Sequence, residues 1–71
     1  MSIQAPHNPK KLMGTQWTAV NVENRRRHWE VIELHLTTDE VLLRAVIDGH
    51  TLRVEWRALR NREDWEPGWK K

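Results

Sequence analysis

A chain of 71 residues makes one domain, close to the lower limit of what folds alone. Its 12 Lys and Arg against 10 Asp and Glu leave a net charge of only +2, so composition allows an anionic partner without demanding one. Cysteine is absent, which excludes disulfides and thiolate metal sites and suits a reducing cytoplasm; no apolar run approaches the roughly 18 residues of a membrane span, and the opening MSIQAPHNPKK lacks the apolar core of a secretory leader.

Residues 1–9, with two prolines and little apolar content, are expected to form a flexible arm ahead of one small β domain over residues 10–71. Four strand-like runs follow: TQWTAVNV (15–22), HWEVIELHL (28–36), VLLRAVID (41–48) and HTLRVEWR (50–57). Pairing Trp17 with Leu34 and Ala19 with Ile32 sends the first strand's large residues inward. It also sets Val20 on Val31 and Val22 on Trp29 on the opposite face, with Arg25, Arg26 and Arg27 in a loop over residues 23–28. A four-residue loop over 37–40 places Leu36 against Val41, Leu34 against Leu43 and Ile32 against Ala45. The Asp48-Gly49 pair reads as a two-residue type I′ turn, which sets Ala45 opposite Leu52, Leu43 opposite Val54 and Val41 opposite Trp56. EVLLRAVI over 40–47 would suit a helix as well, but two independent turns converge on one apolar face, and that agreement favours strand.

After Trp56, Ala58 and Leu59 suggest a short helical turn. The closing DWEPGWKK brackets Pro67 and Gly68 with Trp65 and Trp69, an arrangement that would reverse the chain and lay both rings back on the sheet. The expected fold is therefore mainly β: a small, twisted, antiparallel four-strand meander, curling toward an SH3-like barrel, with an irregular Trp-containing C-terminal tail. The expected core is Ile32, Leu34, Leu36, Val41, Leu43, Ala45, Leu52, Val54 and Trp56, joined by Trp17 and Ala19.

Candidate chemistry is sparse. No serine or cysteine stands with a His–Asp partner, and the three glycines at 14, 49 and 68 form no phosphate cradle, so no catalytic residue is assigned. His28 and His50 approach the same end of the sheet, but two imidazoles make no zinc site, and neither metal nor cofactor is expected. The second face carries Glu33, Arg44 and Arg53 in a row. The two arginines either join a solvated network with Glu33 and Glu55 or present two guanidinium forks to a phosphate or carboxylate. The arginine triplet beside Trp29 is either a solubilising hairpin tip or a grip for nucleic-acid backbone and bases.

NPKKLMGTQWTAV, HWEVIEL and VEWRALRNREDWEPGWK, taken together over residues 8–70, resemble a family of small bacterial tryptophan-rich proteins. The resemblance implies a bacterial, cytoplasmic, single-domain protein and transfers no catalytic or binding residue. The leading functional expectation is a non-enzymatic module contacting RNA or a ribonucleoprotein through Lys10, Lys11, Arg25, Arg26, Arg27, Trp29, Arg44 and Arg53. The competing one is a protein-interaction module or homodimer, working through a sheet edge or through Val20, Val22, Trp29, Val31 and Val46. No membrane partner is expected under either.

Overall fold

The computed structural model describes residues 9–70, so most of the expected arm lies outside the described residues. Five strands form one antiparallel sheet: β1 (Gln16–Glu23), β2 (Arg26–His35), β3 (Glu40–Ala45), β4 (Thr51–Glu55) and β5 (Trp65–Pro67). Short 3₁₀ helices, Pro9–Leu12 and Trp56–Arg60, precede β1 and join β4 to β5. The strand order is β4-β3-β2-β1-β5. The meander expected from the sequence is present, and the tail expected to be irregular supplies a fifth strand. That strand pairs Trp65 with Ala19 and Pro67 with Trp17.

The turns differ from expectation in a systematic way. Asp48 does not adopt positive φ, so the Asp48-Gly49 pair forms no type I′ turn; only Gly49 is left-handed, at φ 76°. Ala45 donates its N–H to the His50 carbonyl and accepts from the Gly49 N–H, which closes a four-residue loop. Leu43 consequently pairs with Leu52 and Val41 with Val54, two positions away from the expected partners. The β2–β3 turn slips equally: Leu34 pairs with Val41, and Leu36 joins the turn, where it is exposed. A shift of two preserves which face each residue points to. For that reason Val41, Leu43 and Ala45 are buried as expected, although every partner changed.

β2 contains a change that reverses a face against β3, and the β1–β2 pairing shifts register as well, between Thr18 and Glu23. Its pairing with β3 steps between Val31 and Glu33, leaving Ile32 as the extra residue of a bulge. Beyond the bulge, Trp29 and Val31 replace Ile32 as core residues; Trp29 faces Trp17 on β1 and Ala45 on β3. The expected pairing of Trp17 with Leu34 is therefore overturned, and Trp29 and Val31 leave the second face.

The two-residue reversal sits instead at Asn24 and Arg25, both left-handed at φ 53° and 63°, between paired Glu23 and Arg26. Consecutive positive φ values are the requirement of a type I′ hairpin. Asparagine tolerates this region, whereas arginine there costs about 1–2 kcal/mol. We expect Arg25→Gly to stabilise the fold by about 0.5–1 kcal/mol, after allowing for the greater unfolded-state freedom of glycine, as read from urea melts. A destabilised variant would contradict the turn assignment.

The buried cluster is Leu12, Trp17, Ala19, Trp29, Val31, Val41, Leu43, Ala45, Trp56, Leu59 and Trp65, with Leu34 and Val54 packed against it. All the strand residues in it belong to one face, and no second sheet lies opposite among the described residues, so the sheet curls around its own core. Leu12, Trp56 and Leu59, from the two 3₁₀ helices, complete that cluster, and the Trp56 N–H bonds the Asp39 carbonyl in the β2–β3 turn. The Trp56 indole nitrogen is buried without a partner among the described residues, and the Arg57 guanidinium lies 4.7 Å from the ring centroid.

The C-terminal segment clasps the opposite side of the sheet. Gly68, at φ 80°, turns the chain after β5, and its N–H bonds the Gln16 carbonyl at 2.8 Å. The buried Thr18 hydroxyl donates to the Gly68 carbonyl and accepts from the Lys70 N–H, both at 2.7 Å. Trp69 stacks on His28 and donates its indole N–H to the Trp29 carbonyl at 3.0 Å. Trp65 is thus core and Trp69 a half-exposed strap on the outer face.

Candidate functional site

The structure distributes the expected basic and aromatic residues instead of gathering them. Lys10 and Lys11 lie in the first 3₁₀ helix, ahead of β1, whereas Arg25, Arg26 and Arg27 lie at the hairpin where β1 ends. Eight residues of strand, roughly 26 Å, separate the two groups. Trp29 is 5% exposed and donates its indole N–H to the Arg26 carbonyl, so it offers no ring on the outer face. Arg44 pairs across the ladder with Thr51, and Arg53 with Leu42, which removes the expected Arg44 and Arg53 juxtaposition. Arg44 lies 3.8 Å from Glu30 and Arg53 3.9 Å from Glu40, and both are exposed contacts of little energetic weight.

The register assigns the outer face directly. Glu30 and Arg44 share a row with Gln16 and Thr51; Glu33, Leu42 and Arg53 share the next; His35, Glu40 and Glu55 the third. Glutamates outnumber arginines on this face, so it is a mixed, mostly solvated surface and not a basic stripe. Arg25 and Arg27 are exposed and have no ion-pair partner among the described residues, whereas Arg26 is bound to Asp48 at 2.8 Å.

A cavity of about 290 Å³ opens on the core side, at the end of the sheet away from the 3₁₀ helices. Its apolar lining comes from Ala19, Trp29, Leu52 and Trp65. Asn21, Glu23, Arg26, His50 and Asp64 supply the polar lining. Trp29 and Trp65 meet edge to face, with centroids 6.1 Å apart and planes at 83°; Trp29 meets the His50 ring at 6.4 Å and 74°. Leu52, expected in the core, is 39% exposed because it stands on the edge strand at this mouth.

Asp48 organises one wall. Its carboxylate accepts from the His50 N–H at 3.0 Å and from Arg26 Nε at 2.8 Å, and these bonds hold its pKa below the ordinary carboxylate value, the His50 bond contributing most. A depressed folded-state pKa means stability present above the unfolded value and lost as pH falls through the folded one. We therefore expect the wild-type melting temperature to drop as pH is lowered below about 4, with Asp48→Asn removing part of that dependence. Identical pH profiles for the two proteins would contradict the role of these bonds.

Sequence reasoning missed this cavity. Trp65 is expected from the sequence to cover the sheet, but nothing local indicates that Glu23, His50, Leu52 and Asp64, from three parts of the chain, converge around it. Against known protein families, residues 15–70 match the model described as Tryptophan-rich protein (DUF2389). No curated protein and no solved structure matches the chain. No helix among the described residues is long and apolar enough to cross a membrane.

Proposed function

This chain belongs to the Tryptophan-rich protein (DUF2389) family, and we propose that its tryptophans build a non-enzymatic binding module for an extended protein segment. The observation that carries this reading is the aromatic cavity lying directly beside an unpaired strand edge. Bonds between Ala45 and His50 and between Trp56 and Asp39 bracket the β3–β4 ladder. With the alternation of an antiparallel pair, Leu52 and Val54 turn their peptide groups toward β3, while Thr51, Arg53 and Glu55 turn theirs outward. An extended segment can add there as a further strand, and its alternate side chains then reach the cavity past Leu52. The family resemblance and the cysteine-free composition support a bacterial, cytoplasmic setting, and the strand order supports an SH3-like description of the curled sheet.

Selection of peptides from a random library on the full chain tests the reading. The selected peptides should lose binding to Leu52→Arg, a substitution at an already exposed position, while the variant keeps its melting temperature. Peptides that bind wild type and variant equally would refute it.

The RNA reading keeps one supporting observation. Trp69 is 42% exposed and stacked on His28, beside the hairpin that carries Arg25 and Arg27. An exposed indole with nearby guanidinium groups is a platform for unpaired bases. In that case mixed RNA would bind at low salt, lose affinity steeply as salt rises, and depend on Trp69 instead of Leu52.

A further inference from the structure

We infer that the cavity beside β4 is a cation-binding cage, taking the guanidinium or alkylammonium group of an arginine or lysine side chain. The inference rests on the protein-segment reading and specifies which side chain of the segment enters the cavity.

Two observations converge. First, three aromatic rings set at steep angles to one another wall the cavity. Trp29 stands at 83° to Trp65 and at 74° to His50, and all three line the same space. Indole faces attract cations through the ring quadrupole, most strongly where water is displaced. Second, the charge balance of the lining is negative. Glu23 and Asp64 contribute two carboxylates, while the only lining guanidinium, that of Arg26, is already neutralised by Asp48 at 2.8 Å. Glu23 has no ion-pair partner among the described residues, and Asp64 accepts one side-chain bond, from Asn61 Nδ2 at 3.0 Å. Both retain acceptor capacity for a donor in the cavity. A wholly apolar ligand would make no use of the two exposed carboxylates at the cavity, and an anion would meet them with like charge. A side chain with an apolar stem and a cationic head satisfies both parts of the lining.

Arg25 and Arg27 are not among the lining residues, and exposed charges of this kind are screened over roughly 8 Å at physiological ionic strength. They set a modest background against which the two carboxylates act at contact.

The test uses the full chain and three small probes: N-acetyl-arginine amide, its uncharged isostere N-acetyl-citrulline amide, and acetate. Each is titrated while the indole N–H resonances are followed by NMR. We expect saturable shifts of Trp29 and Trp65 with the arginine probe alone, with Trp17 and Trp56 unmoved. The double variant Glu23→Gln, Asp64→Asn should weaken that binding about tenfold. Its melting temperature should remain close to that of the wild type, since neither side chain lies in the buried cluster. Equal binding of the citrulline probe, acetate binding at the same resonances, or arginine affinity unchanged in the double variant would each overturn the cage. Library peptides that bind across Leu52 without a basic residue would overturn the cage and leave the module intact. Arginine binding with no peptide binding would retain the cage and overturn the module.

Discussion

Truncation before Trp65 should leave the chain largely unfolded. The segment contributes Trp65 to the buried cluster, β5 to the edge of β1, and the bonds that hold Thr18 and Gln16. Loss of one buried Trp ring costs about 3–5 kcal/mol in a well-packed core. A domain of this size has about 5 kcal/mol or a little more in hand, so the remaining losses exhaust it. Trp65→Ala alone should lower the urea midpoint sharply, and the truncated chain should show no cooperative transition by circular dichroism. A truncated protein melting with the full-length midpoint would show that the clasp is dispensable.

The second large effect concerns the β2 bulge. Deleting Ile32 removes the residue that has no partner on β3, so Val31 remains opposite Leu43 and Leu34 opposite Val41. Both keep their faces, and the deletion should be tolerated at a cost of about 1–3 kcal/mol from lost local twist and side-chain packing. Deleting Glu30, two residues earlier, shifts Trp29 by one position within a regular ladder and turns its ring outward. That variant should not fold. The pair is compared by heteronuclear NMR: dispersed resonances for the Ile32 deletion and collapsed ones for the Glu30 deletion. The reverse order would contradict the bulge.

The bulge also marks where the sequence was legible and where it was not. In HWEVIELHL, Trp29 and Val31 alternate in one phase, and Ile32, Leu34 and Leu36 in the other. A single unbroken strand can bury only one phase, and the later set was the longer. The adjacent pair Val31-Ile32 was the visible sign of the switch, and a bulge lets a curled sheet bury part of each phase. The faces of β3 agree with expectation because both flanking turns are offset by two residues, which leaves its alternation unchanged. The turn chemistry misled for a physical reason. Asp-Gly favours a type I′ reversal in isolation, yet here Asp48 is engaged by Arg26 and by the His50 N–H, and the wider loop accommodates both bonds. Asn24-Arg25 adopts the reversal instead, despite the strain at Arg25, because β1 and β2 impose it.

The candidate site was less legible than the fold. Clustering in sequence put arginines beside Trp29, whereas packing buried that ring and left Trp69 exposed. The cavity depends on the curl of the sheet and on β5 returning to β1, neither of which local patterning encodes. The sequence points separately to Ala19, Arg26, Trp29, His50, Leu52 and Trp65, but not to their meeting around one cavity, and Trp65 is both a core residue and part of its lining.

The central claim is that β4 and the neighbouring cavity form the working surface. Amide hydrogen exchange of the full chain, with and without a library-selected peptide, tests it most directly. The outward N–H groups of Thr51, Arg53 and Glu55 should exchange rapidly in the unliganded protein and become protected on binding, as a new strand ladder requires. Protection confined to the Arg25 hairpin and the Trp69 strap, with the β4 amides still exchanging rapidly, would contradict the claim and move the site to the outer face.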